Sequence, residues 1–129
     1  MSLIQLYHNL KLVHNVDFTT FSGNYSTTEV DTGYTWVDGR AIYKKTVDTG
    51  ALPNNSLKEV AHGVTNLQRI IDLRGIAYRS TNNTFAPIPA VAGSSIYLFA
   101  NLTSIQITTT SDRRDFLESY VTLYYTKSS

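Results

Sequence analysis

The chain lacks cysteine and has little methionine, tryptophan or proline. Its 129 residues include no Cys, one Met, one Trp and three Pro. Without thiols the protein can form neither a disulfide framework nor a thiolate metal site, and a cysteine nucleophile is excluded. A chain of this length predicts one domain that can bury an ordinary core without such cross-links.

The chain also lacks a strong net charge and a long apolar run. Eleven basic and ten acidic residues give a formal charge of +1, so nucleic acid is not an expected partner. No apolar stretch approaches the roughly 20 residues that a membrane span requires, and we expect no membrane insertion. The N-terminus has no secretory signal pattern, so we expect the mature chain to begin where the sequence does.

Catalytic and cofactor motifs are missing as well. The sequence contains no G-x-S-x-G, no P-loop and no G-x-G-x-x-G. The three histidines, His8, His14 and His62, do not have the spacing of a helical zinc pair. We therefore predict no catalytic residue, no metal and no cofactor. His62, which comes directly before Gly63, is expected to fix a turn through a hydrogen bond.

One loop holds the only dense group of carboxylates, Asp112, Asp115 and Glu118. Arg113 and Arg114 lie between them, and interleaved opposite charges are typical of a solvated, self-neutralised turn. A small glycan hydrolase remains an alternative, provided that two of these carboxylates lie about 5 to 9 Å apart in a cleft.

The pair Asp38-Gly39 lies between aromatic and β-branched residues, which predicts a β-hairpin. Gly39 has no Cβ and so accepts the positive φ that a two-residue type I′ turn requires. Such a turn would set Trp36 against Ala41 and Tyr34 against Tyr43. Both faces of this hairpin carry apolar residues, so we expect it to be packed on both sides.

Abundant Ser, Thr and Tyr favour strands along the rest of the chain. Residues 67–79 predict a long strand in which Gly75 marks a bulge or a close backbone approach. We expect a turn at 80–83, a proline-limited edge at 85–89, an antiparallel pair at 95–100 and 104–110, and a last strand at 119–126. This order predicts an all-β fold, either an antiparallel β-sandwich or a jelly-roll-like domain.

Alternation along the long strand predicts which of its side chains share a face. Its two faces are expected to hold Ile70, Asp72, Arg74, Ile76 and Tyr78 on one side and Ile71, Leu73 and Ala77 on the other.

Residues 1–24 differ from the remainder, 25–129, in the spacing of their apolar residues. Leu3, Leu6, Leu10 and Val13 have helical a/d spacing, but alternating apolar residues in the same segment suit a strand equally well. The segment is expected either to pack on the same core or to act as an arm that attaches the module to a virion. Both interpretations remain open on the sequence alone.

Two runs carry a resemblance to a known family. They are Tyr25-Ser26-Thr27-Thr28-Glu29 and, after an interval, Thr35-Trp36-Val37-Asp38-Gly39-Arg40 with Ile42-Tyr43-Lys44-Lys45-Thr46. They resemble the "YSTEE…GTWIDGKPIYKKT" opening of a small domain that recurs in tail-fibre and head-fibre proteins of tailed bacteriophages. The likeness extends over residues 25–127. Here Tyr34 is inserted where the family has Gly directly before Thr-Trp, and residues 1–24 have no counterpart.

The resemblance implies a non-enzymatic structural protein of the virion. Modules of this kind are commonly homotrimers, so the expected partners are further copies of the chain, other virion proteins and a glycan of the host surface. A capsid-decorating or tail-joining protein that binds only virion proteins is the alternative.

Three surfaces follow as expectations. The subunit interface is assigned to strand aromatics, namely Tyr34, Trp36, Tyr43 and Tyr124. Virion attachment is assigned to the leading apolar residues Leu3, Leu6, Leu10 and Val13. Surface recognition is assigned to turn and loop residues, namely Tyr78, Arg79, Asp112, Arg113 and Arg114.

Overall fold

The computed structural model describes residues 25–91 and 95–128, and in this part of the chain nearly all regular structure is β. Eight strands and one short 3₁₀ turn are present within it. Their bounds are β1 Val30–Thr35, β2 Ala41–Asp48, β3 Leu57–Ala61, β4 Leu67–Arg79, the 3₁₀ turn Ser80–Asn82, β5 Thr84–Ile88, β6 Ile96–Ala100, β7 Ser104–Thr109 and β8 Phe116–Lys127.

The strands form two antiparallel sheets, with the orders β1-β2-β8-β4-β5 and β3-β7-β6. Side chains from both sheets meet in one buried core, to which the larger sheet contributes Val121 and Leu123 and the smaller sheet Ile105 and Ile107. Two sheets that share a core in this way form a sandwich. The predicted antiparallel β-sandwich is confirmed.

The hairpin of β1 and β2 is confirmed, but its predicted register is wrong. The Gly39 N–H donates to Trp36 O and the Trp36 N–H donates to Arg40 O, which makes a three-residue loop with Gly39 at φ 86°. Such a loop, a turn followed by a glycine bulge, shifts the pairing by one residue, so Thr35 lies opposite Ala41. The Asp38 carboxylate accepts from the Arg40 N–H and holds the loop.

Strand β4 has the predicted bounds, and Gly75 is a point of close approach. A Cβ at this position would lie 2.7 Å from the Tyr120 carbonyl oxygen and 3.0 Å from Val121 Cγ2. The two strands are therefore closer here than a side chain allows.

The predicted faces of β4 need one correction. Leu73 and Ala77 face the core, and Ile76 and Tyr78 face outward, as expected. A register shift between residues 70 and 72 exchanges two isoleucines: Ile70 packs against the core and Ile71 lines the outer face. A bulge places one extra residue in a strand, and this reverses the alternation beyond it.

The smaller sheet and the last strand also follow the sequence. Strands β6 and β7 pair with each other, and β5, which carries Pro87, lies at one end of the large sheet. Strand β8 begins at Phe116, three residues before the predicted start at Ser119, and it pairs with both β2 and β4. It is thus the central strand of the large sheet.

One end of the core is closed by a buried phenol. The Tyr125 ring is fully buried and stacks on Tyr43 with ring centroids 6.1 Å apart. Its hydroxyl donates to Glu29 Oε1 at 2.6 Å, and Glu29 Oε2 accepts from Lys127 Nζ at 3.0 Å. Burial and the Glu29 carboxylate raise the pKa of the Tyr125 hydroxyl far above its usual range.

This shift predicts a loss of stability at alkaline pH. The unfolded chain loses the Tyr125 proton near pH 10, whereas the folded protein retains it, so the contribution of this group to the free energy of unfolding is constant below pH 10 and falls above it. The slope contributed by one such group is up to about 1.4 kcal/mol per pH unit. Urea melts at pH 8 to 11 should show this decline, and Tyr125→Phe should reduce it. An undiminished slope in that variant would contradict the assignment.

Candidate functional site

The outer face of the five-stranded sheet carries apolar and aromatic side chains that the core does not use, among them Ile76, Phe85 and Tyr120. Antiparallel pairing sets residues of neighbouring strands directly opposite one another, so the outward side chains fall into transverse rows. Two rows run over β5, β4 and β8, namely Phe85, Tyr78 and Glu118, and Pro87, Ile76 and Tyr120. Two more run over β4, β8 and β2, namely Arg74, Thr122 and Thr46, and Asp72, Tyr124 and Lys44.

The three rows that contain Ile76, Arg74 and Asp72 form the floor of a depression of about 820 Å³, here called the sheet groove. Its apolar lining comes mainly from β2, β4 and β8, and its rim is completed by residues that precede β1. The lining residues are Tyr25, Ser26, Thr27, Ile42, Thr46, Ile71, Asp72, Arg74, Gly75, Ile76, Tyr120, Thr122 and Tyr124.

Two contacts fix the rim of the sheet groove at residues 25–27. Ser26 O accepts from the Thr46 N–H at 2.9 Å, which ties this segment to β2. Lys44, only 3 % exposed, places Nζ 3.7 Å from the centroid of the Tyr25 ring and 5.7 Å from that of Tyr124. An ammonium group over ring faces is held electrostatically, so Lys44 clamps Tyr25 at the groove.

Polar groups in the sheet groove are paired with one another. The hydroxyls of Thr46 and Thr122 are 2.9 Å apart and share a hydrogen bond. Asp72 and Arg74 form an ion pair at 3.0 Å. Burial, and after it the neighbouring Tyr25, raise the pKa of the Tyr124 hydroxyl, which stays protonated well above neutral pH. The groove therefore presents a largely apolar surface with few free polar groups.

A second depression of about 440 Å³ lies at the end of the face next to the β4–β5 turn, and we call it the Phe85 pocket. The rings of Tyr78 and Phe85 have centroids 5.0 Å apart and form its wall. The Tyr78 hydroxyl donates to Asn83 Oδ1 at 2.7 Å. Ile76 and Tyr120 line both depressions, which makes the Phe85 pocket continuous with the sheet groove.

The charged loop after β7 lies beside the same end of β4. Arg79 donates to Asp115 Oδ2 at 3.0 Å and to Asn82 Oδ1 at 3.0 Å. Arg114 makes two bonds to the Asp112 carboxylate at 2.9 and 2.8 Å, and these hold the pKa of Asp112 down at about 2. Asp112 is thus an ionised member of an ion pair, whereas the general acid of a glycosidase needs a raised pKa.

The residues assigned to recognition come together. Tyr78 and Arg79 end β4, and the Arg79–Asp115 ion pair joins them to the loop that carries Asp112 and Arg114. The guanidinium groups of Arg79 and Arg113 lie 4.9 and 5.9 Å from the centroid of Phe116.

The residues assigned to the subunit interface are spread over the large sheet. Tyr124 lies on its outer face in the sheet groove, and Tyr43 lies on its inner face against Tyr125. Tyr34 is 62 % exposed and Trp36 is half-buried near the hairpin loop. The attachment residues Leu3, Leu6, Leu10 and Val13 lie outside the described residues, as do His8 and His14.

His62 has the structural role that its place before Gly63 predicts. Its ring is buried, Nδ1 accepts from the Val64 N–H at 3.1 Å, and Nε2 lies 3.0 Å from Asn101 O. Because a carbonyl oxygen can only accept, Nε2 carries the proton. Across residues 25–91 and 95–128 no group of three His, Cys, Asp or Glu side chains could hold a metal ion.

The two bonds of His62 predict a graded loss of stability. His62→Ala leaves the Val64 N–H and the Asn101 carbonyl without their partner, and we expect unfolding to become easier by about 2 kcal/mol. His62→Asn can keep the bond to Val64 through Oδ1, so it should lose less. Chemical denaturation measures both variants, and equal losses would contradict the two-bond role.

Sequence reasoning missed the clamp of Lys44 on Tyr25 and the pairing of Phe85 with Tyr78. Both depend on strand register, which the alternation of apolar residues in one strand does not give.

Comparison with family models, with curated proteins and with solved structures finds no match for this chain. In the described segments no helix is long and apolar enough to cross a membrane.

Proposed function

We propose that this protein is a non-enzymatic structural module of a tailed-phage virion, of the tail-fibre or head-fibre type, which assembles with copies of itself and adheres to the host surface. The observation that carries the proposal is the sheet groove. Three isoleucines and three tyrosines are its large apolar lining side chains, and contiguous apolar surface of this kind marks an interaction site.

The size of the face supports a stable contact. Strands β4 and β8 have 13 and 12 residues. The other three strands are shorter, with 6, 8 and 5 residues in β1, β2 and β5. At about 3.3 Å per residue and about 4.8 Å per strand, the face measures on the order of 700 Å². A specific interface of standard size buries about that much on each partner.

A homotrimer is the assembly we propose, in keeping with the phage modules that the sequence resembles. Three subunits whose large sheets face a common threefold axis would each contact the other two. This contact would bury Tyr120, Tyr124 and Ile76 and would leave no subunit with an uncovered interface. The end of the face at Phe85 and the Arg79–Asp115 loop would then lie at the rim, where a host glycan has access.

The mass of the protein in solution tests this assembly. Light scattering at micromolar concentration should give three times the 14.4 kDa of one chain. A monomer at that concentration would overturn self-assembly, and a dimer would overturn the threefold arrangement. Release of reducing sugar from a bacterial polysaccharide, abolished by Asp112→Asn or Glu118→Gln, would overturn the non-enzymatic assignment.

A further inference from the structure

Phe85 is a large apolar side chain with little protein around it. Its ring is 64 % exposed on β5, yet one face contacts Tyr78. Tyr78 is in turn held by its bond to Asn83, which has a left-handed backbone at φ 51° and whose N–H lies 3.4 Å from Ser80 O. The position of the ring pair is therefore set before any ligand arrives.

Two polar groups flank these rings. Glu118 lies directly opposite Tyr78 on β8, on the side away from Phe85, and its carboxylate has no hydrogen-bond or ion-pair partner among the residues that the structure describes. The Asn83 amide uses its oxygen for Tyr78, so its NH₂ group points two donors elsewhere. The Phe85 pocket thus offers a ring face, a carboxylate acceptor and an amide donor.

We infer that the Phe85 pocket binds a carbohydrate, with the apolar face of a sugar ring against the Tyr78–Phe85 ring pair and the sugar hydroxyls bonded to Glu118 and Asn83. Aromatic rings with a few convergent polar groups are the usual lining of a small-molecule site, and a volume of about 440 Å³ is within the range of such sites. The inference rests on the adhesive part of the proposed function and assigns it a location.

The charge of the pocket restricts the sugar. Among the residues that the structure describes, Glu118 is the only charged side chain that lines the pocket, and it would repel a carboxylate or a phosphate. The guanidinium of Arg79, the residue after Tyr78, is paired with Asp115. We therefore assign the site to neutral sugars and amino sugars rather than to uronic acids or phosphorylated units.

A single site of this kind is shallow and its affinity is low. Several copies in one oligomer, and several oligomers on one particle, raise the effective affinity without any new contact. Binding to an immobilised polysaccharide should therefore be much tighter than binding to the free monosaccharide unit.

An array of bacterial surface glycans tests the site. Fluorescently labelled wild-type protein should bind at least one neutral or amino-sugar polysaccharide, and Phe85→Ala should weaken that binding at least about tenfold. Glu118→Gln and Asn83→Ala should weaken it as well. The chain offers a matched control in Phe99, which is 61 % exposed on an end strand of the other sheet, and Phe99→Ala should bind as the wild type does.

Two outcomes would overturn the inference: no signal from the wild type on neutral and amino-sugar glycans, or binding that Phe85→Ala and Phe99→Ala reduce equally. A wild-type protein that is trimeric by light scattering but binds no glycan refutes this site alone. A monomeric wild type whose glycan binding is weakened by Phe85→Ala and not by Phe99→Ala refutes the assembly alone.

Discussion

Replacement of Tyr125 by alanine should remove about 3 to 5 kcal/mol from the free energy of unfolding. The side chain is fully buried, stacks on Tyr43 and donates to Glu29 at 2.6 Å. Its loss leaves a cavity at the end of the core and takes from Glu29 one of its two partners. Since the free energy of unfolding of domains of this size is only about 5 to 15 kcal/mol, a large fraction of the variant molecules should be unfolded at moderate temperature.

Two variants separate the contributions to this loss. Tyr125→Phe keeps the ring and removes only the bond to Glu29, so it should lose about 1.5 to 3 kcal/mol. Tyr97→Ala removes a tyrosine that is 44 % exposed on the small sheet, and it should change the free energy of unfolding by less than about 0.5 kcal/mol. Urea denaturation followed by circular dichroism measures all three. Equal losses in Tyr125→Ala and Tyr97→Ala would contradict the described core.

Replacement of Ile76 by lysine should break the assembly and leave the fold intact. Ile76 is 45 % exposed in one subunit and lies on the outer face where the sheet groove meets the Phe85 pocket. Folding does not bury the new ammonium group, but a neighbouring copy would, and a threefold axis would bring three of them together. We expect the dissociation constant to rise at least about 100-fold, because like charges placed together in an interface cost several kcal/mol.

The matched control is Leu57→Lys. Leu57 is 52 % exposed and belongs to β3 of the small sheet, which is the other sheet of the sandwich. Sedimentation velocity over a concentration series should show Leu57→Lys assembled like the wild type and Ile76→Lys as a monomer. Thermal denaturation should give Ile76→Lys the same melting temperature as the wild-type monomer. Assembly of both variants to the same extent would show that the contact lies elsewhere.

The sequence is informative where local patterns decide the structure. The bounds of β4, the turn at Ser80–Asn82 and the pairing of β6 with β7 all follow from alternation and turn residues. A single glycine within a strand predicts either a bulge or a close backbone approach at Gly75, and the Tyr120 carbonyl shows that it is a close approach.

Register and bulges lie beyond such patterns. The choice between a two-residue and a three-residue loop at Asp38-Gly39 shifts the pairing of the hairpin by one residue, and either loop accepts a glycine at this point. The exchange of Ile70 and Ile71 depends on a bulge that apolar residues at both positions do not reveal.

The candidate site depends on side chains that are distant in sequence. Tyr78, Phe85 and Glu118 form a row only because β4 lies between β5 and β8, and the clamp of Lys44 on Tyr25 requires residues before β1 to lie beside β2. Composition indicates many tyrosines, but only strand order separates those of the core, such as Tyr125, from those of the outer face, such as Tyr124.

Thiol labelling tests most directly whether the outer face of the large sheet is buried between subunits. The chain has no cysteine, so Ile76→Cys and Leu57→Cys each carry a single reactive group on one of the two sheets. At a concentration where the oligomer forms, Ile76→Cys should react much more slowly than Leu57→Cys, and dilution should restore its reactivity. Equal labelling rates of the two variants at every concentration would contradict an interface on this face.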